Sequence, residues 1–499
     1  MSAASTMQQS PTDAAKEVLD ASARLYRADA EISRELADSR RRLDEPLRVV
    51  LVGSVKAGKS TLINALLGEN LAPTDARECT KVVTWYRHGL TPLVRAFRLA
   101  GDVVPVPLHR TNSRLELDLG DLDVESLDRL EVTWPMSPLS ELTLVDTPGT
   151  VSISHDVSDR TRQFITPSDG VSGADAVVYL LRSLHTADVE FLHALRAHTS
   201  QGSVALGAIA VLSRADELGA GRLDAMLSVN TAVERLKEDP ALEGVCETVV
   251  PVAGLVALAG ATLRQSEFSS LMALEAKPRN EMRKILVSVD RFIAAEDPDL
   301  PSSRIREELV ERFGIYGIRL AIAVIRSGAR DAPSLSAELV RRSGLDELRR
   351  LVDVHFQQRH PELKARSAVL AARRILVTNP REGSEDVLAF ADEHLADQQA
   401  FHEMRLLAQV RSAKLSLDSA QLAELERTLG GQGTTPSERL GFQSSVAALK
   451  VLRERAFEML WMWSERADNP LTDRETAAAC RVAVRSCEGV IAELEQSKY

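Results

Sequence analysis

The chain has 499 residues, 44% hydrophobic and 27% charged, the balance of an ordinary globular protein with room for two or three domains. A formal net charge of −11 and a sequence pI near 5.6 exclude a broad nucleic-acid-binding surface. Cys79, Cys246, Cys480 and Cys487 have no metal-ligand or redox spacing, which excludes a zinc site and reads as four reduced thiols.

Residues 1–12 are polar and lack the charged and apolar segments of a signal peptide, so they are expected to be disordered and the chain to be cytoplasmic. No run reaches the ~20 apolar residues of a membrane span, so any membrane contact is expected to be peripheral. Thr12 and Asp13 can cap one helix over 13–44, stopped by Asp44, Glu45 and Pro46. Its Val18, Leu25, Ile32, Leu36 and Leu43 form a nearly heptad stripe that needs a partner helix.

After Pro46 the apolar run 47–52 predicts a strand, and Leu62, Ile63, Ala65 and Leu66 predict a helix. Between them lie Gly53, Ser54, Val55, Lys56, Ala57, Gly58, Lys59, Ser60 and Thr61, with the G-x-x-x-x-G-K-[ST] spacing of a phosphate-binding loop. Such a loop turns its backbone N–H groups toward phosphate oxygens, while Lys59 reaches the β and γ phosphates and Ser60 offers a hydroxyl to Mg²⁺. A plain structural glycine turn is disfavoured by the strand, loop, helix order.

Three further pieces follow in order. Thr80 lies about twenty residues past the loop, where a switch threonine closes over Mg²⁺. The stretch 146–149, DTPG, ends a predicted strand; Asp146 can hold Mg²⁺ through water and the Gly149 N–H can meet the γ phosphate, or the stretch can be a plain turn. The stretch 213–216, SRAD, is a variant of the N/T-K-x-D guanine reader, in which Asp216 accepts from N1–H and N2–H₂ and the stem of Arg214 covers the base. Its alternative is a helix cap made by Ser213 or Asp216. A last strand, VVPVAG, is expected to bring backbone N–H groups at its end, Val252 to Gly254, within reach of guanine O6, with Val252 and Ala253 as candidate site residues. Together these predict GTP/GDP and Mg²⁺ as ligands.

The short apolar runs ELTLVD, ADAVVYLL, GAIAVLS and ETVVPV, alternating with helical segments, predict a doubly wound, mainly parallel α/β P-loop GTPase head over 45–363. Strands stop near Ala259, and an all-α neck or stalk bundle of four or five helices is expected over 364–499, joined by the N-terminal helix. The most apolar helical stretch, 313–328, reads either as a helix packed on the head or as a basic-edged amphipathic membrane helix. Trp461, Met462 and Trp463 are expected in the bundle core, and no exposed apolar loop between two long helices is apparent.

GSVKAGKSTLINALLG, APTDARECTKVVTWYRHG, DTPGT, ADAVVYLL with HTADVEFL, SRADE and SGLDELRRLVDVHFQQRHPELKAR together resemble the bacterial dynamin-like GTPases, nearest to the shorter type of isoniazid-inducible dynamin-like protein of mycobacteria. The resemblance spans nearly the whole chain. It implies GTP hydrolysis, head-to-head dimerisation, an optional longer dynamin-like partner, and work at the inner face of the cell membrane under drug or envelope stress. Thr150 stands where a Ras-like enzyme keeps its water-orienting glutamine. The resemblance also gives Lys56 a candidate role: guanylate-binding proteins, distant relatives, carry an arginine finger in cis at this position, and other dimerising GTPases a residue that helps hold a monovalent cation. An exposed, solvent-facing Lys56 is the alternative. Two competing readings are an RNA-binding assembly GTPase, which lacks its basic module here, and a non-catalytic nucleotide-binding scaffold.

Overall fold

The computed structural model describes residues 10–72, 82–111, 114–117, 119, 122–148, 164–165, 173–182, 188, 190–193, 208–217, 225–237, 239, 242, 246, 248–397, 399–410, 415–442 and 448–496. The strands are β1 (Leu47–Gly53), β2 (Val83–His88), β3 (Leu93–Arg98), β4 (Val103–Pro105), β5 (Leu108–Thr111), β6 (Arg114–Leu117), β7 (Leu127–Trp134), β8 (Leu142–Asp146), β9 (Ala176–Leu181), β10 (Ala208–Ser213) and β11 (Thr248–Val252). Nine of them form one sheet in the order β11, β10, β9, β1, β8, β2, β7, β3, β4, and β5 with β6 forms a separate hairpin. From β11 to β8 every pairing is parallel. β9 and β10 are buried along their whole length, as strands covered on both faces must be.

The mainly parallel α/β head is therefore as the sequence predicts, with one addition. Between the helix Lys59–Leu67 and β8 the described residues hold strands and single 3₁₀ turns, not alternating helices. β2 joins the sheet antiparallel to β8, and β7, β3 and β4 extend it. Their tight connections, such as 89–92, leave no length for a crossover helix.

The N-terminal region is two helices, Pro11–Leu25 and Ala30–Arg42, where the sequence predicts one. The Asp29 carboxylate accepts the Ile32 N–H at 3.2 Å and starts the second helix, and Ser33 Oγ donates to the Tyr26 carbonyl at 2.9 Å. Val18, Leu36 and Leu43 are buried in one core with Ala365, Ala368, Val369, Ala372 and Ile375, and Leu25 and Ile32 pack against it. The stripe is thus covered by the helix His360–Thr378 of the same chain, and that helix runs across the expected boundary at 363.

After β11 the helices Gly254–Ala261, Gln265–Glu275, Ser303–Arg326 and Ala332–Arg342 share a core that includes Phe313, Ile318, Leu320, Ile322 and Ile325. These apolar residues of 313–328 are buried, so the stretch is a packed helix and not a free membrane-seeking face; it kinks at Gly314, whose φ is 63°.

From His360 onward seven helices follow among the described residues, one of only four residues, against the four or five expected. The helices Gln399–Val410, Ser419–Thr428, Leu449–Asp468 and Arg474–Gln496 close a further core around Trp463. Trp461 corrects the sequence expectation: it is 71% exposed, because residues two apart on a helix point about 200° apart and only one of the two tryptophans can face the core. The loop between the two long final helices also carries an apolar tip, Leu471, 93% exposed. A single leucine among Asp, Asn, Pro and Thr gave no apolar run to notice. No helix among the described residues is long and apolar enough to cross a membrane.

The sheet and the helices Ala30–Arg42 and His360–Thr378 meet at a buried charge cluster at the start of β9. Asp175, just before β9, lies 2.7 Å from Lys364 Nζ and 3.2 Å from Arg42 Nη2, and accepts the Arg48 N–H at 2.9 Å.

Candidate functional site

Because β1, β8, β9, β10 and β11 run parallel, their carboxyl ends share one edge, where ligands of open α/β sheets bind. That topology brings 53–61, Asp146, 213–217 and 252–255 together. A Cβ on Gly53 would lie 2.4 Å from the Leu180 carbonyl oxygen, so only glycine lets the loop leave β1 against β9. Lys59 opens the following helix, and its Nζ donates to the carbonyls of Gly53 at 2.9 Å and Ser54 at 3.1 Å. The ammonium thus sits inside the curl of the loop, where an anionic phosphate would replace the two carbonyls as its partner. Asn64, which stands in no motif, shapes the far side of this helix. Its Oδ1 accepts the N–H groups of Leu71 and Ala72, and its Nδ2 donates to the Ala72 carbonyl. A lone asparagine within the apolar stretch 62–67 was the available signal.

Ser60 Oγ donates to Asp146 Oδ2 at 2.8 Å, and Asp146 Oδ1 is buried with no hydrogen-bond partner among the described residues. A hydroxyl and an unsatisfied carboxylate oxygen at one point are the hard oxygen donors that suit Mg²⁺. Burial pushes the Asp146 carboxyl above its ordinary range, opposed by Lys59 and the Ser60 hydrogen bond; burial likewise lowers Lys59, opposed by Asp146. Next to it Thr147 Oγ1 donates to the Leu51 carbonyl at 2.8 Å, pinning the end of β8 to β1. Thr80, Gly149 and Thr150 lie outside the described residues.

A cleft of about 150 Å³ opens beside the loop, lined by Ala57, Gly58, Thr61, Leu180, Ser213, Arg214, Asp216, Glu217, Val252, Gly254 and Leu255 among others. Ser213 Oγ donates to the Leu181 carbonyl at 3.1 Å, which fixes the exit from β10. Arg214 reaches across to the phosphate loop, donating to the Lys56 carbonyl at 3.0 Å and to Glu217 at 2.7 Å, so its stem lines the cleft. Lys56 and Arg214 are the two non-glycine residues of positive φ among those described, 62° and 53°. Each such residue costs about 1–3 kcal/mol, and such strain clusters where a loop is held for a ligand. Val55 and Lys56 are exposed and are not among the residues lining the cleft. Burial raises the Asp216 carboxyl, with Glu217 adding to the rise and Arg214 opposing it.

One expected contact is not available in this structure. The Ala253 N–H donates to the Ser343 carbonyl at 2.9 Å, so it does not point at a base. Leu255 joins the cleft without a motif to announce it; tertiary packing alone puts it there.

Residues 49–210 match the Dynamin family. The chain is 44% identical over 468 residues to the isoniazid-induced protein IniC of Mycobacterium tuberculosis, covering 94% of each chain. It is 28% identical over 217 residues to the isoniazid-induced protein IniA of the same species, covering 37% of this chain and 33% of that one. A solved structure of an oligomerised bacterial dynamin pair, described as a mechanism for long-range sensing and tethering of membranes, aligns with 98% of this chain and 74% of its own at 15% identity and a TM-score of 0.32.

Proposed function

This chain belongs to the dynamin family of GTPases, and on that premise we propose that it binds GTP and GDP with Mg²⁺ at the carboxyl edge of its sheet, dimerises head to head across that face, and serves the upkeep or remodelling of the cytoplasmic membrane under drug or envelope stress. The observation that carries the reading is the pair Ser60 and Asp146 beside Lys59, with one Asp146 oxygen buried and unsatisfied. Ser60, Thr80 and, through water, Asp146 would hold Mg²⁺, which supplies positive charge to the β and γ phosphate oxygens. Lys59 exchanges the carbonyls of Gly53 and Ser54 for those oxygens, and Gly149 donates its N–H to the γ phosphate. Asp216 would accept the two guanine N–H donors on its carboxyl oxygens, a paired contact that adenine cannot return.

In this reading residues 45–363 are the GTPase domain with its helical extension, 13–44 join the bundle, and 364–499 are neck and stalk. The exposed Trp461 and Leu471 support a weak peripheral membrane contact at the end of the final helix pair, reinforced by a second copy or by a longer dynamin-like relative. A second reading, a catalytically weak partner of such a relative, is favoured by Thr150 in place of the Ras-like glutamine.

Steady-state turnover measured against protein concentration separates them. The first reading expects specific activity to climb as heads pair and GTP to be bound far more tightly than ATP. Flat, near-zero turnover with intact GTP binding favours the second, and equal affinity for ATP and GTP ends both.

Lys56 offers a further check. Its backbone has a positive φ and its carbonyl is held by Arg214, while the residue is exposed, so its side chain could reach a γ phosphate or a facing head. Lys56→Ala is expected to lower turnover at unchanged GTP affinity, by less than the ~10³ to 10⁵ of an arginine finger because lysine is a point charge and not a fork. Unchanged turnover assigns Lys56 to solvent.

A further inference from the structure

The base cleft is bounded by the first turn of the helix Gly254–Ala261, and that helix is anchored at both ends by a segment far downstream. At its far end Ser336 Oγ donates to the Gly260 carbonyl at 2.8 Å. At its near end the Ser343 carbonyl takes the Ala253 N–H at 2.9 Å. Ser343 is itself locked: its Oγ donates to the Val340 carbonyl at 2.7 Å and accepts the Leu345 N–H at 3.2 Å. Gly344 follows with φ +84°, and a Cβ there would lie 2.1 Å from the Pro251 carbonyl oxygen, at the end of β11. Both the backbone conformation and the close approach require glycine.

We propose that the turn at Ser343 and Gly344 is a positioning element for guanine recognition, an inference that rests on the nucleotide reading above. With the Ala253 N–H engaged by Ser343, the cleft-lining residues Gly254, already within the expected span, and Leu255 are the ones whose N–H groups would meet a base. These begin a helix and so lack intrahelical acceptors. A purine carrying an acceptor at its 6-position satisfies them; one carrying an amino group there meets donor with donor. Asp216 reads the neighbouring N1 and N2 edge from the opposite side of the cleft. Purine identity is thus set by two loops, and the second is held in register by residues that never touch the nucleotide.

The test uses the full chain and three ligands, GDP, ADP and inorganic pyrophosphate, the last occupying the phosphate loop without a base. Gly344→Ala forces the end of β11 and the following turn apart, and is expected to weaken GDP about tenfold, the worth of one mispaired hydrogen bond, while leaving pyrophosphate unchanged. Ser343→Ala keeps the glycine and removes only the side-chain lock, so it provides a milder variant, expected to shift GDP in the same direction, should Gly344→Ala fold poorly. Arg349→Ala serves as the control. Arg349 grips the carbonyls of Ala65 and Leu66 at the end of the phosphate-loop helix, and its loss is expected to leave the ratio of GDP to ADP affinity unchanged. Equal weakening of GDP and pyrophosphate in Gly344→Ala, or unaltered GDP affinity in both turn variants, overturns the proposal while wild-type guanine preference stands. Absence of that preference in the wild type overturns the nucleotide reading and this proposal with it.

Discussion

Lys59→Ala is expected to remove GTP turnover, with a loss of at least ~10²-fold in kcat, the scale set by deleting one preorganised charge aimed at a developing anion. The ammonium is buried within the curl of the loop, donating to Gly53 and Ser54, so no other side chain can take its place without refolding the loop. Alanine also removes the ammonium that would meet the β and γ phosphate oxygens in the bound state, so GTP affinity falls together with turnover. Lys59→Arg is not expected to rescue, because a planar fork has neither the reach nor the single-point geometry that a loop closed around Nζ requires. Turnover with Mg²⁺ and fluorescent GDP binding on the same preparations check this. Retained turnover in Lys59→Ala would remove the phosphate loop from the chemistry.

The second large effect lies at the opposite edge of the sheet. Asp175→Asn is expected to cost about 3 to 5 kcal/mol of stability, because it leaves Lys364 and Arg42 facing a neutral group in a buried site. Burial alone would raise the Asp175 carboxyl; Lys364, Arg42 and Arg48 outweigh it and hold the pKa at about 2, below the ordinary 3.8. The stabilisation is therefore whole above about pH 4 and is lost as the pH falls toward 2. Urea midpoints at neutral pH check the size of the effect. Adding Lys364→Met to Asp175→Asn is expected to recover part of the loss, since it removes one unpaired buried charge, whereas strictly additive losses would show that the cluster carries no coupling. β9 runs from this cluster to Leu180 in the cleft, so GDP binding by the double variant also reports whether the seating of the helix His360–Thr378 alters nucleotide affinity.

What was legible in the chain was local. An apolar run with no polar break, a glycine pair spaced for a curl, a lysine and serine at its end and a helical repeat after it determine strand, loop and helix by short-range sterics and burial alone, and four such runs determine a parallel sheet because only strands covered on both faces can be so uniformly apolar. Period could not decide the N-terminal helix. The stripe of Val18 to Leu43 reads as one continuous repeat, but Asp29 competes for a backbone N–H and breaks it. The antiparallel extension from β2 to β4 depends on turns and pairings that carry no long-range signal in composition. Nor does a sequence say which of two tryptophans two residues apart faces a core, since that choice belongs to the helices that pack against it: Trp463 went in and Trp461 was left out.

The same division runs through the candidate site. Lys59, Ser60, Asp146 and Asp216 stand in motifs, because the chemistry they are suited to needs fixed spacing along the chain. Ser343, Gly344 and Arg349 stand in none, because what they meet, the Ala253 N–H, the Pro251 carbonyl and the carbonyls of Ala65 and Leu66, lies far away in the sequence, and which segments meet is decided only when the chain closes. The fate of the Ala253 N–H makes the point physically. Its sequence position put it beside a base, but a buried N–H goes to the acceptor that folding delivers, and tertiary structure delivered the carbonyl of Ser343.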